Sequence, residues 1–118
     1  MISKEFRFHG HASLKYVFAK GQQARSKFFA IKYIANPHRR YSRLAVVVSK
    51  KIFKSAVQRN CVRRRVYEIS RPLINDVVQP VDVVISVYSQ EVLALTDQEL
   101  RLQILPLLHQ AGFKRSEA

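Results

Sequence analysis

Two short apolar runs, "LAVVV" at residues 44–48 and "VDVVISVY" at residues 81–88, constrain this chain more than any other feature. Both are rich in β-branched residues, whose stiff side chains pack well on a pleated surface. Neither alternates apolar with polar positions, so both are expected to be strands at the centre of a sheet, covered on each face. A third stretch, "KFFAIKYI" at 27–34, is aromatic and β-branched and precedes the turn residues Asn36 and Pro37, so it reads as a further strand.

The segment joining the two apolar runs, "SKKIFKSAVQRNCVRRRVYEISR", follows a different period. Val62, Val66, Ile69 and Leu73 recur at helical spacing and would face the sheet. Arg59, Asn60, Arg63, Arg64 and Tyr67 gather on another face of that helix, while Arg65 points elsewhere. Pro72 has no N–H and disfavours α geometry at Arg71, so the helix should end or kink there. A short first helix over residues 12–20 should carry Leu14, Val17 and Phe18 on one face. It should end at Gly21, whose missing Cβ permits a left-handed backbone. A last helix should begin after Thr96, which has capping-box spacing with Glu99 and a Leu95–Leu100 staple. Its buried stripe would be Leu100, Ile104, Leu107, Leu108 and Ala111, with a kink at Pro106 and a stop at Gly112.

The order helix, strand, strand, helix, strand, helix makes an α/β (α+β) two-layer sandwich around a mixed central sheet, with room for one more short strand. A chain of 118 residues with 47% apolar content is one domain, 1–118, and no repeat or linker divides it.

Charge divides what the fold does not. Residues 1–71 hold 18 Lys and Arg against Glu5 and Glu68, a net of +16, whereas residues 72–118 hold three against six acids, a net of −3. A formal charge of +13 implies a polyanionic partner, either nucleic acid or an anionic membrane surface. The N-terminal part is therefore the binding part and the remainder its support. Eight of the cations lie in the segment 49–71, which contains a single acid, Glu68. Arginines four apart on a helix repel one another unless an anion compensates them. Ser49, Lys50 and Lys51 end the preceding strand and Lys54 begins the helix, so all should converge on the edge that carries Arg59 and Asn60. Guanidinium forks match phosphate oxygens, and Asn60 supplies both a donor and an acceptor.

Other residue types exclude other chemistries. Cys61 is the only cysteine, which rules out an internal disulfide and fits a reducing cytoplasm. No histidine lies near it in sequence to act as the base that a catalytic thiol needs. His9 and His11 have no carboxylate or cysteine beside them to complete a metal site, and His38 with Arg39 and Arg40 extends the basic surface. No secretory core and no apolar run long enough to span a bilayer is present, so the protein is expected to be cytoplasmic.

The run "VVVSKKIFKSAVQRNCVRRRVYE" resembles the signature of the bacterial ribonuclease P protein subunit: a strand, Ser-Lys-Lys, a short gap, Ala-Val-x-Arg-Asn, then an Arg/Lys-rich helix. Ser49, Lys50, Lys51, Ala56, Val57, Arg59, Asn60, Arg63 and Arg64 match it, and Glu68 matches its closing acid. The resemblance covers nearly the whole chain. It implies a ribosomal-protein-like fold with a left-handed βαβ crossover, and a protein that is one part of a ribonucleoprotein endoribonuclease. The RNA subunit would carry the chemistry with its Mg²⁺, the protein binding no cofactor alone. Partners would be the catalytic RNA and precursor tRNA, not DNA or a membrane. Ser49, Lys50, Lys51, Lys54, Arg59, Asn60, Arg63, Arg64 and Arg65 would contact the catalytic RNA. The 5′ leader of the precursor would lie across a cleft between the first helix and the sheet, against Leu14, Phe18 and Lys32. Cys61 departs from a position usually basic in the family, as does Tyr67, and Leu14 and Lys32 stand where aromatics are common; Arg65 could replace the cation missing at Cys61.

Charge alone also fits a stand-alone structured-RNA-binding or ribosomal protein. A nuclease in its own right fits less well, because the eight acids are scattered and none pairs with a histidine at metal-site spacing.

Overall fold

The computed structural model describes residues 17, 19–35, 42–73 and 81–112. Four strands form one sheet: β1, Gln22–Arg25; β2, Phe29–Ala35; β3, Arg43–Val48; and β4, Val81–Val87. Two helices are fully described: α1, Ala56–Ser70, and α2, Asp97–Gln110. Val17, Ala19 and Lys20 are helical, at the end of the expected first helix. Strand β1 is the short additional strand, paired antiparallel with β2 through a tight turn in which the Ser26 N–H donates to the Phe29 carbonyl at 2.8 Å.

The strand order is β1-β2-β4-β3. Strand β2 pairs antiparallel with β4, and β3 pairs parallel with β4, so the sheet is mixed and α1 is the crossover between the two parallel strands. Strand β4 is central, as its composition implies, and all but one of its residues are buried. Strand β3 is not central. It lies at the sheet edge, and its side chains alternate: Leu44, Val46 and Val48 are buried, whereas Arg43, Ala45 and Val47 are half-buried. An apolar run therefore reported a strand but not its place, because Ala45 and Val47 tolerate partial exposure on the less covered face.

One face of the sheet packs beneath both helices. Phe29 and Ile31, Val83 and Ile85, and Leu44 and Val46 meet Val62, Val66, Ile69 and Leu73 from α1 and its trailing turn, together with Leu100, Ile104, Leu107 and Leu108 from α2. Helix α1 starts at Ser55, whose hydroxyl accepts the Gln58 N–H at 3.3 Å, and gives way at Arg71–Leu73 to a 3₁₀ turn holding Pro72. Helix α2 opens with the full capping box: Thr96 Oγ1 accepts from the Glu99 N–H at 3.1 Å, and Glu99 Oε1 accepts from the Thr96 N–H at 2.8 Å. It runs without interruption through Pro106, and Gly112 ends it with a positive φ of 105°.

Gly21 serves a different purpose from the one its position suggests. Gly112 is the only described residue with positive φ. At Gly21 an added Cβ would instead lie 2.5 Å from the Val17 carbonyl oxygen and 2.9 Å from that of Tyr33, so glycine is required by close backbone approach.

Candidate nucleic-acid interface

The C-terminal end of β3 runs into residues 49–55, and backbone bonding folds this stretch tightly. The Ser49 carbonyl accepts from the N–H groups of Ile52 and Phe53 at 3.1 and 3.2 Å, and the Ser49 hydroxyl accepts from the Lys51 N–H at 3.1 Å. Phe53 is buried beneath, which anchors the loop and leaves Lys50, Lys51 and Lys54 at the surface. Two side chains brace it from outside. Arg59 Nη1 donates to the carbonyls of Phe53 and Lys54 at 2.9 and 3.0 Å, and Gln90 Nε2 donates to the Ile52 carbonyl at 2.7 Å. The lysines of the loop and the first turns of α1 thus meet at one end of the parallel pair.

Along α1, Asn60 and Arg64 are exposed and Arg63 is half-buried, with Arg63 Nη1 donating to Asn60 Oδ1. That bond fixes the amide so that its NH₂ group faces outward while the arginine keeps further donors. Arg59 belongs to the same segment but spends part of its guanidinium on the loop.

Arg65 and Tyr67 lie elsewhere. Arg65 is turned toward α2: its Nε and Nη2 reach Asp97 Oδ1 at 3.2 and 2.9 Å, Nη2 reaches the Leu95 carbonyl at 2.6 Å, and Nη1 reaches that of Val92 at 3.4 Å. Its charge is matched within the protein and its guanidinium is directed at α2 rather than at the face of Asn60 and Arg63. Tyr67, expected on the basic face, is buried with its hydroxyl 3.5 Å from the Leu44 carbonyl, because α1 lies close over β3 there. Cys61 is exposed among the cations.

The second face of the sheet carries Ala30 and Lys32 from β2, Val84 and Ser86 from β4, and Ala45 and Val47 from β3. Lys32 is aligned with Val84, and Val84 with Ala45. Leu14 and Phe18 lie outside the described residues. Just past β4, Tyr88 is 52% exposed, with the Arg25 guanidinium 5.3 Å from its ring centroid. Sequence reasoning missed this pair, since Tyr88 was absorbed into an apolar run; the one signal was an aromatic at the last position of that run.

No three of His, Cys, Asp and Glu stand together as a metal site among the described residues. No described helix is long and apolar enough to cross a membrane.

The sequence profile of the family described as Ribonuclease P matches residues 2–112. The chain belongs to the ribonuclease P protein family. The ribonuclease P protein component of Pseudanabaena sp. (strain PCC 6903) is 30% identical over 87 residues, 74% of this chain and 75% of that protein. That of Geobacillus sp. (strain WCH70) is 28% identical over 111 residues, 94% of each chain. The RNase P protein of Staphylococcus aureus superposes with a TM-score of 0.80 at 22% identity, covering 92% of this chain and 98% of that one, a likeness of fold. The RNase P protein of Thermotoga maritima gives 0.78 at 27% identity over 88% and 96%. Family membership makes the chain a ribonuclease P protein component, a subunit of the ribonucleoprotein that processes tRNA 5′ ends, with an RNA subunit as its partner.

Proposed function

We propose that this protein binds the catalytic RNA of ribonuclease P through Lys50, Lys51, Lys54, Asn60, Arg63 and Arg64, with Ser49 and Arg59 shaping that surface. The second face of the sheet takes the 5′ leader of precursor tRNA. One observation carries the reading: three loop lysines and the outward groups of α1 converge at one end of the parallel pair. The nearest acid on the helix, Glu68, lies two turns beyond Asn60 and faces Arg71 at 3.2 Å. Such a surface suits a phosphate backbone of any sequence.

On the second face, Lys32 supplies a cation and Tyr88, backed by Arg25, supplies a ring against which a base can stack without regard to its identity. Endonucleolytic removal of the leader belongs in this reading to the RNA subunit and its Mg²⁺. The protein lowers the repulsion between two polyanions and so favours the assembled complex at low magnesium.

The test is cleavage of a 5′-extended precursor tRNA by bacterial ribonuclease P RNA at low Mg²⁺, with and without stoichiometric protein. Rescue by the wild-type chain, lost in an Arg63→Ala, Arg64→Ala double variant, supports the reading. No rescue, beside equally tight binding to unrelated structured RNAs, would favour a stand-alone RNA-binding protein.

A further inference from the structure

Residues 72–118 carry a net charge of −3 and read in sequence as support for the basic part. The fold nevertheless brings one of their cations to the basic helix. Arg64, Arg65, Glu68 and Ile69 of α1, with Asp97 and Arg101 of α2, line one cleft of about 250 Å³. Both of its acids are engaged: Asp97 with Arg65 at 2.9 Å and Glu68 with Arg71 at 3.2 Å. Arg64 and Arg101 are exposed, and among the described residues neither has an acid within ion-pair distance.

We propose that the cleft between α1 and α2 is a second phosphate-binding site for the RNA subunit, contacted by Arg64 and Arg101 and held in shape by Arg65. The inference rests on the reading that the protein binds this RNA, and it extends the footprint from α1 onto α2. Two guanidinium groups on opposite walls of one cleft repel each other, and an anion between them reverses that repulsion. Phosphate fits their planar, forked donors. The partner is RNA rather than an acidic peptide because Arg64 is shared with the face formed by Asn60 and Arg63, so one backbone can pass from that face into the cleft. Arg65 positions rather than binds. By engaging Asp97 it holds the first turn of α2 against α1 and offsets one of the two acids that line the cleft.

The experiment measures affinity of the full chain for transcribed bacterial ribonuclease P RNA across a series of salt concentrations. It compares wild type with Arg101→Ala, Arg101→Lys and Arg63→Ala, each checked for an unchanged melting temperature. Loss of one phosphate contact in Arg101→Ala should weaken binding about three- to tenfold and flatten the plot of log affinity against log salt by about 0.7–0.9. Arg101→Lys should keep the wild-type slope, since the charge remains. Wild-type affinity and slope in Arg101→Ala, alongside weakened binding in Arg63→Ala, overturns the cleft site and leaves the basic-face reading intact. Failure of the wild-type chain to bind overturns both.

Discussion

The Arg43 guanidinium holds the Asp82 carboxylate through two hydrogen bonds, Nε to Oδ1 at 3.0 Å and Nη2 to Oδ2 at 2.8 Å. The two residues are register partners across the parallel strands β3 and β4, and their side chains are only 14% and 5% exposed. Next to them the Ser42 hydroxyl accepts the Val81 N–H at 3.0 Å. The pair therefore fixes the first residues of both parallel strands, where the crossover returns to the sheet, at the end opposite the lysine loop 49–55. Removing Asp82 takes from the part-buried guanidinium its bidentate carboxylate, so Asp82→Ala should cost about 1–3 kcal/mol in urea denaturation. Replacing both, as Arg43→Met with Asp82→Leu, should restore most of that. A cost below about 0.5 kcal/mol for the single change would show that register does not depend on this pair.

The proposed reading gives Arg59 two duties, and they separate experimentally. Its Nη1 holds the carbonyls of Phe53 and Lys54, so Arg59→Ala should lower stability by about 1–2 kcal/mol as well as weaken RNA binding. Arg64, with no such bond, should show only the binding loss when changed to alanine. Equal melting temperatures for wild type and Arg59→Ala would mean that the loop is held by Phe53 and the Ser49 turn without it.

For Arg65 the distribution of energy matters more than the ion pair. The Asp97 side chain is 79% exposed, so solvent screens that pair heavily and Asp97→Asn should change stability by only a few tenths of a kcal/mol. The bonds to the Leu95 and Val92 carbonyls are partly buried and hold the 3₁₀ turn Gln90–Ala94 and its C-cap, which lead into α2, against α1. Arg65→Ala should therefore destabilise by about 1–2 kcal/mol, and Arg65→Lys, which cannot reach several acceptors in one plane, should recover little of it. Thermal denaturation of the three variants decides the order.

Legibility in the sequence followed the periodic signals. The stripe Val62, Val66, Ile69, Leu73 and the stripe Leu100, Ile104, Leu107, Leu108 are both buried as their spacing requires, because helix period and burial are one constraint. The Thr96–Glu99 box was equally readable, being local. Strand position was not: β3 and β4 have nearly the same composition, yet one is edge and one is centre, since sheet order depends on long-range pairing. Strand β1, "QQAR", has little β character and exists because β2 offers it an edge. Within the candidate site, the loop lysines and the outward side of α1 were legible from charge. The inward turn of Arg65 and burial of Tyr67 were not, because they depend on where α2 and β3 pack.

The salt dependence of RNA binding tests the electrostatic account as a whole. Neutralising roughly five to eight phosphates, at about 0.7–0.9 of a unit each, gives a slope of log affinity against log salt on the order of −4 to −7. Titrations of the full chain against ribonuclease P RNA between low and physiological salt measure it directly. A slope near zero would remove the phosphate-contact basis of the interface.

The proposed leader binding makes a separable demand, because that reading assigns it to the second sheet face rather than to α1. Tyr88 presents an exposed ring steadied by Arg25, and stacking of one base on an aromatic ring contributes about 1–3 kcal/mol. In the assembled complex, Tyr88→Ala should weaken precursor tRNA by that amount and leave mature tRNA, which has no leader, unaffected. Tyr88→Phe should behave as wild type, since the ring and not the hydroxyl is used. Lys32→Ala should give a smaller, salt-sensitive loss confined to the same substrates. Equal losses for precursor and mature tRNA would place Tyr88 against the tRNA body or the RNA subunit. Unchanged affinity in both would return the sheet's second face to a purely structural role.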